Sequence, residues 1–553
     1  MRLFRMNFSQ ARVRLVQAGA VLAAAALVAG CGNNYRPVVT PVNPSGPPAQ
    51  PQSLVVVVTA PSPTTPGIAT VIDYAGDSIL AQASIGPGPT AFTLDESGYS
   101  GYTINSDRTI SNIPVSTTLQ SKNVAFSTLL SNALPLNLFA PSSGLWVTDL
   151  CATFPATASC ISGSLLTAVP GVDVLSSSPE SQNYAIPLAP TPVIVAGPGI
   201  SGKRFFALSQ NIATPTGLEC NNSPTTQPLG IVTPIETASY TTDTPITVGK
   251  CPVYAVESND IARFYVLNRG SDTISVINAQ YGTLDACTPF LNQAGQTVTC
   301  HPTLPLSTTA MKALNNITPG SGTPPNCNPA ADPTCGGMPV TAGPVYAEYN
   351  AARNLLVVAD YDGGTITVID VTLDEYGNDY NTYSNPSCTV NGVYSYANCG
   401  TITGGFGTTY TIPVGHNPAS VTVLYDGSRA YTANQADQTV TIANLSSYTV
   451  EKTLPVTGYP RTVVSNQNST YGKVYVASPN SNFLTIISTG GADPDIIDTT
   501  ILLQGDIVDV RVSTQNGASG NNNAGSRIPG YGQPCNLPGS ASLVSLAACR
   551  AQP

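Results

Sequence analysis

Apolar and polar positions along this chain recur in short runs of about four to six residues, broken by Gly, Asn, Asp, Ser and Pro. The run "FYVLNRGSDTISVIN" (264–278) returns as "AYTANQADQTVTIAN" (430–444), with Tyr265/Tyr431, Asn268/Asn434, Thr273/Thr439 and Asn278/Asn444 in matching places. "LVVADYDGGTITVID" (356–370) and "VYVASPNSNFLTIIS" (474–488) have the same length. Each is a β run rich in branched and aromatic residues, a turn, and a second β run. The turn residues tolerate positive φ and satisfy their own backbone. Each phrase therefore predicts a β-hairpin.

A second phrase follows each hairpin. "IPVGHNPASVTVLYDGS" (412–428) and "LPVTGYPRTVVSNQNST" (454–470) share a Pro followed by an apolar strand and a polar turn. "ITVGKCPVYAVESND" (246–260) and "ASIGPGPTAFTLDESG" (83–98) look alike. From Ala430 to Val474 the period is 44 residues, close to propeller-blade spacing. A single four-stranded unit cannot bury both faces, so the units must stack, and radial stacking leaves few exposed edges. Weaker copies start at Val55, span 101–113, and start at Gly144 and Arg204. Eight hairpin phrases and eight following strands are counted, with seven blades open if one weak unit is an insertion. The last strand, "DIVDVRVS" (506–513), lacks a following hairpin and is expected to pair with the first hairpin near 54–73, closing the ring.

The expected fold class is thus all-β, a propeller of four-stranded blades, seven or eight in number. The four strong phrases resemble the YVTN-type β-propeller repeat, clearly over 246–513 and faintly over 54–245. "YVLN" (265–268) and "YTAN" (431–434) are near matches, whereas "VVAD" (357–360) and "YVAS" (475–478) replace the Asn. The resemblance implies an architecture, often on a surface or in a periplasm. Some such proteins are called lactonase-like by repeat similarity alone, so it implies no firm activity.

The N-terminus supplies an address. "MRLFRMNFSQARVRLVQAGAVLAAAALVAGC" pairs a basic segment with an apolar run from Ala18 to Gly30, too short to span a membrane, which takes about 20 residues. It reads as a signal peptide over 1–30. Val28-Ala29-Gly30-Cys31 resembles a bacterial lipobox, which implies acylation of Cys31 and, with Gly32 rather than Asp after it, the outer membrane. Acyl chains contribute about 0.8 kcal/mol per buried CH₂, so more than one anchors stably. Residues 31–53 form the lipidated Cys and a tether with prolines at 37, 41, 44, 47, 48 and 51, an extended spacer reaching roughly 60 Å at about 3.1 Å per residue. The propeller is expected over 54–513 and a Gly/Asn/Ser-rich tail over 514–553, in which "SASLVSLAAC" (540–549) could form a short helix.

Charge changes the picture little. Charged residues are 9% of the chain, and the formal net charge is −10. No basic stripe exists to neutralise phosphates, so a nucleic-acid partner is not expected. The expected partners are the membrane, through Cys31, and a protein or glycan at the loop face.

Thirteen cysteines include Cys31. The other twelve suit an oxidising compartment and fall as neighbours: Cys151/Cys160, Cys220/Cys251, Cys287/Cys300, Cys327/Cys335, Cys388/Cys399 and Cys535/Cys549. Sequential bridges are expected, although sequence alone does not fix connectivity. They lie largely where the period is broken, near 283–343 and after Leu356, and such loops are the candidate binding elements.

No catalytic, cofactor or metal constellation emerges. His301 and His416 are the two histidines, and both read as rim turn residues. Asp360 and Asp362 in "DYDGGT" could suit calcium but more simply shape a turn. Trp146 reads as core. Three functions remain: an envelope-anchored binding or scaffold module, a lactonase-like hydrolase using carboxylates and His416, and a structural surface-layer component.

Overall fold

The fold is a computed structural model that describes residues 53–115, 124–129, 133–141, 144–150, 170–176, 181–197, 203–212, 227–258, 260–286, 290–291, 297–298, 300–306, 342–373, 389–390, 393–394, 405–491, 493–514 and 517–519. The signal peptide, Cys31, most of the tether and most of the tail lie outside them.

Blade 6 shows how the repeat becomes structure. Its strands Pro418–Val423, Arg429–Asn434, Thr439–Asn444 and Thr449–Pro455 pair antiparallel in that order. The repeated fifteen-residue phrase supplies the second and third strands, with Tyr431 opposite Ile442 and Asn434 opposite Thr439. The Pro-containing phrase straddles two blades. It ends the outer strand of one blade and begins the inner strand of the next at Pro418.

Eight such sheets follow in sequence, at 91–128, 135–187, 192–250, 252–305, 344–413, 418–455 and 462–502, with the eighth assembled from both chain ends. In blade 8 Asp506–Thr514 is followed outward by Ser53–Ala60, Pro66–Asp73 and Ser78–Pro87, and the short strand Gly517–Ser519 folds back on its inner edge. The inner strands of consecutive blades pack against one another, and that of blade 8 packs against those of blades 7 and 1, so the ring is closed. The fold is an eight-bladed β-propeller, and the expected closure by 506–513 on the first hairpin is the observed one. No helix occurs among the described residues.

Burial grades from axis to rim. Arg263–Asn268 and Leu355–Asp360, second strands, are buried at every position, because a blade is covered on both faces by its neighbours. That explains their continuous apolar runs in place of strict alternation. The outer strand Thr449–Pro455 is mostly exposed. Aromatic residues join neighbouring blades. Trp146, 1% exposed, packs edge-on to Phe205 at 5.0 Å. Phe206 stacks on Phe264 at 4.6 Å, and Tyr254 lies 4.5 Å from Tyr346.

Polar side chains of non-adjacent blades meet within the ring. Arg511, on the inner strand of blade 8, is buried; burial alone would disfavour its charge, but Asp509 at 3.2 Å holds it on, and Tyr346 and Tyr254 lie near it. Those tyrosines come from blades 5 and 4, on the other side of the ring. Glu348 of blade 5 accepts a hydrogen bond from Gln467 of blade 7 at 2.8 Å, skipping blade 6.

Antiparallel order sorts the connections onto two faces. Outer-to-inner crossovers and the turns between second and third strands share one, the crossover face. Inner-to-second and third-to-outer turns share the other. Ser53 pairs with Thr514, so the chain enters and leaves the ring on this second, terminal face.

Candidate binding face

The crossover face is built from the repeated phrase. In blade 6 the Asn434 amide Nδ2 donates to Thr439 Oγ1 (3.1 Å), Thr441 Oγ1 (2.8 Å) and the Val414 carbonyl (3.1 Å). Asn268 does the same to Thr273 (3.3 Å) and Ser275 (2.9 Å), and Asn105 to Thr109 and Ser111 (2.9 Å each). The shared Asn and Thr of the sequence are thus bonded to each other and hold the turn. Blade 5 has Asp360 in this place, accepting from Thr365 (3.1 Å) and Thr367 (2.6 Å). It is fully buried, and burial pushes its carboxyl well above the usual range.

Across blades 4 to 6 these turns are linked. Arg269 grips Asp362 with two nitrogens, Nε at 3.1 Å and Nη2 at 2.8 Å, and its guanidinium lies 5.4 Å from the Tyr361 ring. Such a forked pair fixes orientation as well as charge. The Tyr361 hydroxyl donates to Gln435 at 3.0 Å, and Asn417 Nδ2 donates to the Tyr361 carbonyl at 3.2 Å. Asp272 accepts from the Gly343 amide at 2.8 Å, and burial raises its carboxyl to about 6. Gly343 has φ +57, and a Cβ there would collide with the Asp362 carboxylate, so only glycine allows this approach.

His416 sits in the crossover into blade 6, as the sequence predicted. Its Nδ1 lies 2.9 Å from Asp437 Oδ1, and its backbone N–H donates to Asp437 Oδ2 at 2.7 Å. Asp437 raises the imidazole pKa above its ordinary value, and the imidazole lowers that of Asp437 against the effect of its partial burial. The ring is 71% exposed, so Nε2 faces solvent. Sequence reasoning missed this dyad because Asp437 lies one hairpin away; the signal was an Asp in the turn of "NQADQT".

The longest connections also distinguish the face. Those at 150–170, 210–228 and 306–343 start and end here; 371–408 starts and ends on the terminal face, and 285–302 interrupts the outer strand of blade 4, leaving and rejoining it opposite Ser275–Ile277. At the root of 150–170, Asp149 accepts the Leu134 amide at 2.7 Å, while burial, then Asp149, push the Asp173 carboxyl to about 9.

Cys251 and Cys300 are each disulfide-bonded. Cys251 lies at the crossover into blade 4, the face that also roots the connection carrying Cys220. Cys151, Cys160, Cys220, Cys287, Cys327, Cys335, Cys388, Cys399, Cys535 and Cys549, like Cys31, lie outside the described residues. His301 lies 5.5 Å from the Phe406 ring, at the outer edge of blade 4 and away from His416. Asp360 and Asp362 are committed to Thr365, Thr367 and Arg269. Among the described residues no group of three or more His, Cys, Asp or Glu is placed to hold a metal.

No family model and no curated protein matches the chain. Solved structures with a similar course include Citrobacter koseri AztD, at 10% identity and a TM-score of 0.46, covering 83% of this chain and 97% of that one. The dihydro-heme d1 dehydrogenase NirN in complex with DHE matches at 12% identity and 0.48, over 87% and 78%. A Bacteroides fragilis protein provisionally named a 6-phosphogluconolactonase matches at 11% and 0.43, over 84% and 99%. None of these likenesses informs what this chain binds.

Proposed function

We propose that this chain is an envelope-anchored binding module, held to the outer membrane through Cys31, that presents its crossover face to a protein or glycan partner. The observation that carries the reading is the pairing of Ser53 with Thr514. Residue 53 starts its strand on the terminal face, so a tether through 31–52 would join the ring there and leave the crossover face as the outward one. That outward face carries three of the five long connections and the linked turns of blades 4 to 6. A rigid scaffold displaying variable loops is the usual division of labour in binding proteins.

Two experiments test this. Metabolic labelling with an alkyne fatty acid should mark the full-length protein and leave Cys31→Ser unmarked; labelling of both would remove the anchor. A photo-crosslinking residue at Gln438, on the crossover face, should give a discrete adduct in the native host. No adduct from that position would remove the outward binding face.

The His416–Asp437 dyad supports a second reading, lactonase-like hydrolysis. An imidazole oriented through Nδ1 leaves Nε2 able to act as a base. Lactone hydrolysis abolished by His416→Ala would support it, and hydrolysis surviving that change, or absent from the start, would rule it out.

A further inference from the structure

Among the described residues the four most exposed aromatic side chains are Tyr471 (79%), Tyr281 (70%), Tyr425 (67%) and Tyr99 (56%). All four lie on connections of the terminal face, whereas Tyr361 on the crossover face is buried. Three lie along the arc of blades 6, 7, 8 and 1. Tyr425 and Tyr471 occupy the inner-to-second turns of blades 6 and 7, and Tyr99 that of blade 1. Between them Tyr74 of blade 8 donates its hydroxyl to the Tyr471 carbonyl at 2.6 Å.

The charges in this arc that lack an ionic partner are mainly acidic; at its blade 6 end Arg353 of blade 5 is held by the carbonyls of Gly427 and Leu445. Arg429 is taken up by Asp495 and the carbonyls of Ser469 and Thr489, and Lys473 by Asp77 and the Tyr74 carbonyl. Asp73, Asp95, Asp426 and Asp493 carry no salt bridge, and Asp426 and Asp493 are exposed. Exposed tyrosine beside carboxylate is suited to guanidinium and ammonium groups, which stack on the ring and pair with the acid. The same charge repels an anionic lipid surface, which tyrosine alone would tolerate.

We infer that the terminal face of blades 6, 7, 8 and 1 is a docking surface for a cationic polypeptide segment rich in Arg or Lys. It stands apart from the crossover-face reading and does not depend on it. Its partner approaches beside the point where residue 53 enters the ring.

The test is fluorescence anisotropy of a labelled Arg-Gly-Ser repeat peptide against the full-length protein, at about 0.15 M ionic strength, where the screening length is about 8 Å. Saturable binding is expected. Tyr425→Ser with Tyr471→Ser should weaken it about tenfold, the effect of losing two exposed cation–π contacts. Asp426→Asn with Asp493→Asn should weaken it and flatten its salt dependence. All four positions are at turns, and a far-UV spectrum and melting curve check that each variant folds. Absence of saturable binding overturns the inference, as does binding that ignores the tyrosine changes, which is plain charge attraction. Binding of phosphatidylglycerol vesicles in preference to the peptide also overturns it.

Discussion

Replacing Glu257 with Gln should stabilise the ring, and more so as pH rises. Glu257 ends the inner strand of blade 4, is 2% exposed, and neither of its carboxyl oxygens has a hydrogen-bond partner. Burial, with a smaller contribution from the Asp260 charge, raises its pKa from 4.5 to about 9. The folded state therefore binds this proton more tightly than the unfolded chain does. Its contribution is fully present below about pH 4.5 and is lost progressively as pH climbs toward 9. At about 1.36 kcal/mol per unit, the loss at pH 7 is roughly 3 kcal/mol. Gln carries the same shape without the titration, and its amide is as poorly solvated as the protonated acid it replaces. For a ring spanning 53–514, the unfolding entropy is about 1 kcal/mol per kelvin, so the variant should melt about 3 °C higher at pH 7. Melting curves of both proteins from pH 4.5 to 9 measure this. They should coincide at the acid end and separate steadily. A constant offset, or coincident curves at pH 7, would refute the assignment of a buried, protonated Glu257.

The same physics gives three further expectations. Asp360→Asn restores the amide used in blades 1, 4 and 6 and should raise stability increasingly above pH 4, read by the same melting curves; a destabilised variant at pH 8 would show that the Thr365 and Thr367 bonds need the acid. Arg429→Met should cost about 3 kcal/mol, because it leaves Asp495 buried without its cation, and should speed amide exchange in 489–495; unchanged exchange there would show that Arg429 does not join blades 6 and 7. Asp437→Asn should lower the pKa of His416 toward 6.5, seen by NMR titration. In the native protein the pair's stabilisation is full between about pH 4 and 6.5, fades as pH rises through the raised His416 value, and is lost at the acid end as pH falls through the lowered Asp437 value; an unshifted titration would break the dyad.

Much of the architecture was legible because the repeat encodes hydrogen bonds. Asn268 and Thr273, or Asn434 and Thr439, recur together because each amide needs its hydroxyl. The strand 506–513 was readable as the closing strand because it had no hairpin of its own. The joints between blades were not legible. Arg429 and Lys473 each stand two positions before a repeat tyrosine, Tyr431 and Tyr475, and reach into the third-to-outer hairpin of the following blade, to Asp495 and Asp77. Those acids lie in variable turns far along the chain, where no period points to them. The two faces were equally hidden, since Tyr425, Tyr471 and Tyr99 look like scattered turn residues until strand direction sorts them to one side. The candidate site was readable only as a position for His416; its partner Asp437 and the Arg269–Asp362 fork emerge from the packing of neighbouring turns.

The closing strand also decides how the ring would carry mechanical load. A pull through residue 53 acts on Ser53–Ala60, which lies between Pro66–Asp73 and Asp506–Thr514 and is bonded to both. Force along that strand's axis shears both ladders together, so their bonds resist in parallel and do not peel one after another. A tug on the tether is therefore met by two seams at once, and the joint made from the two ends of the chain is the one placed to bear it.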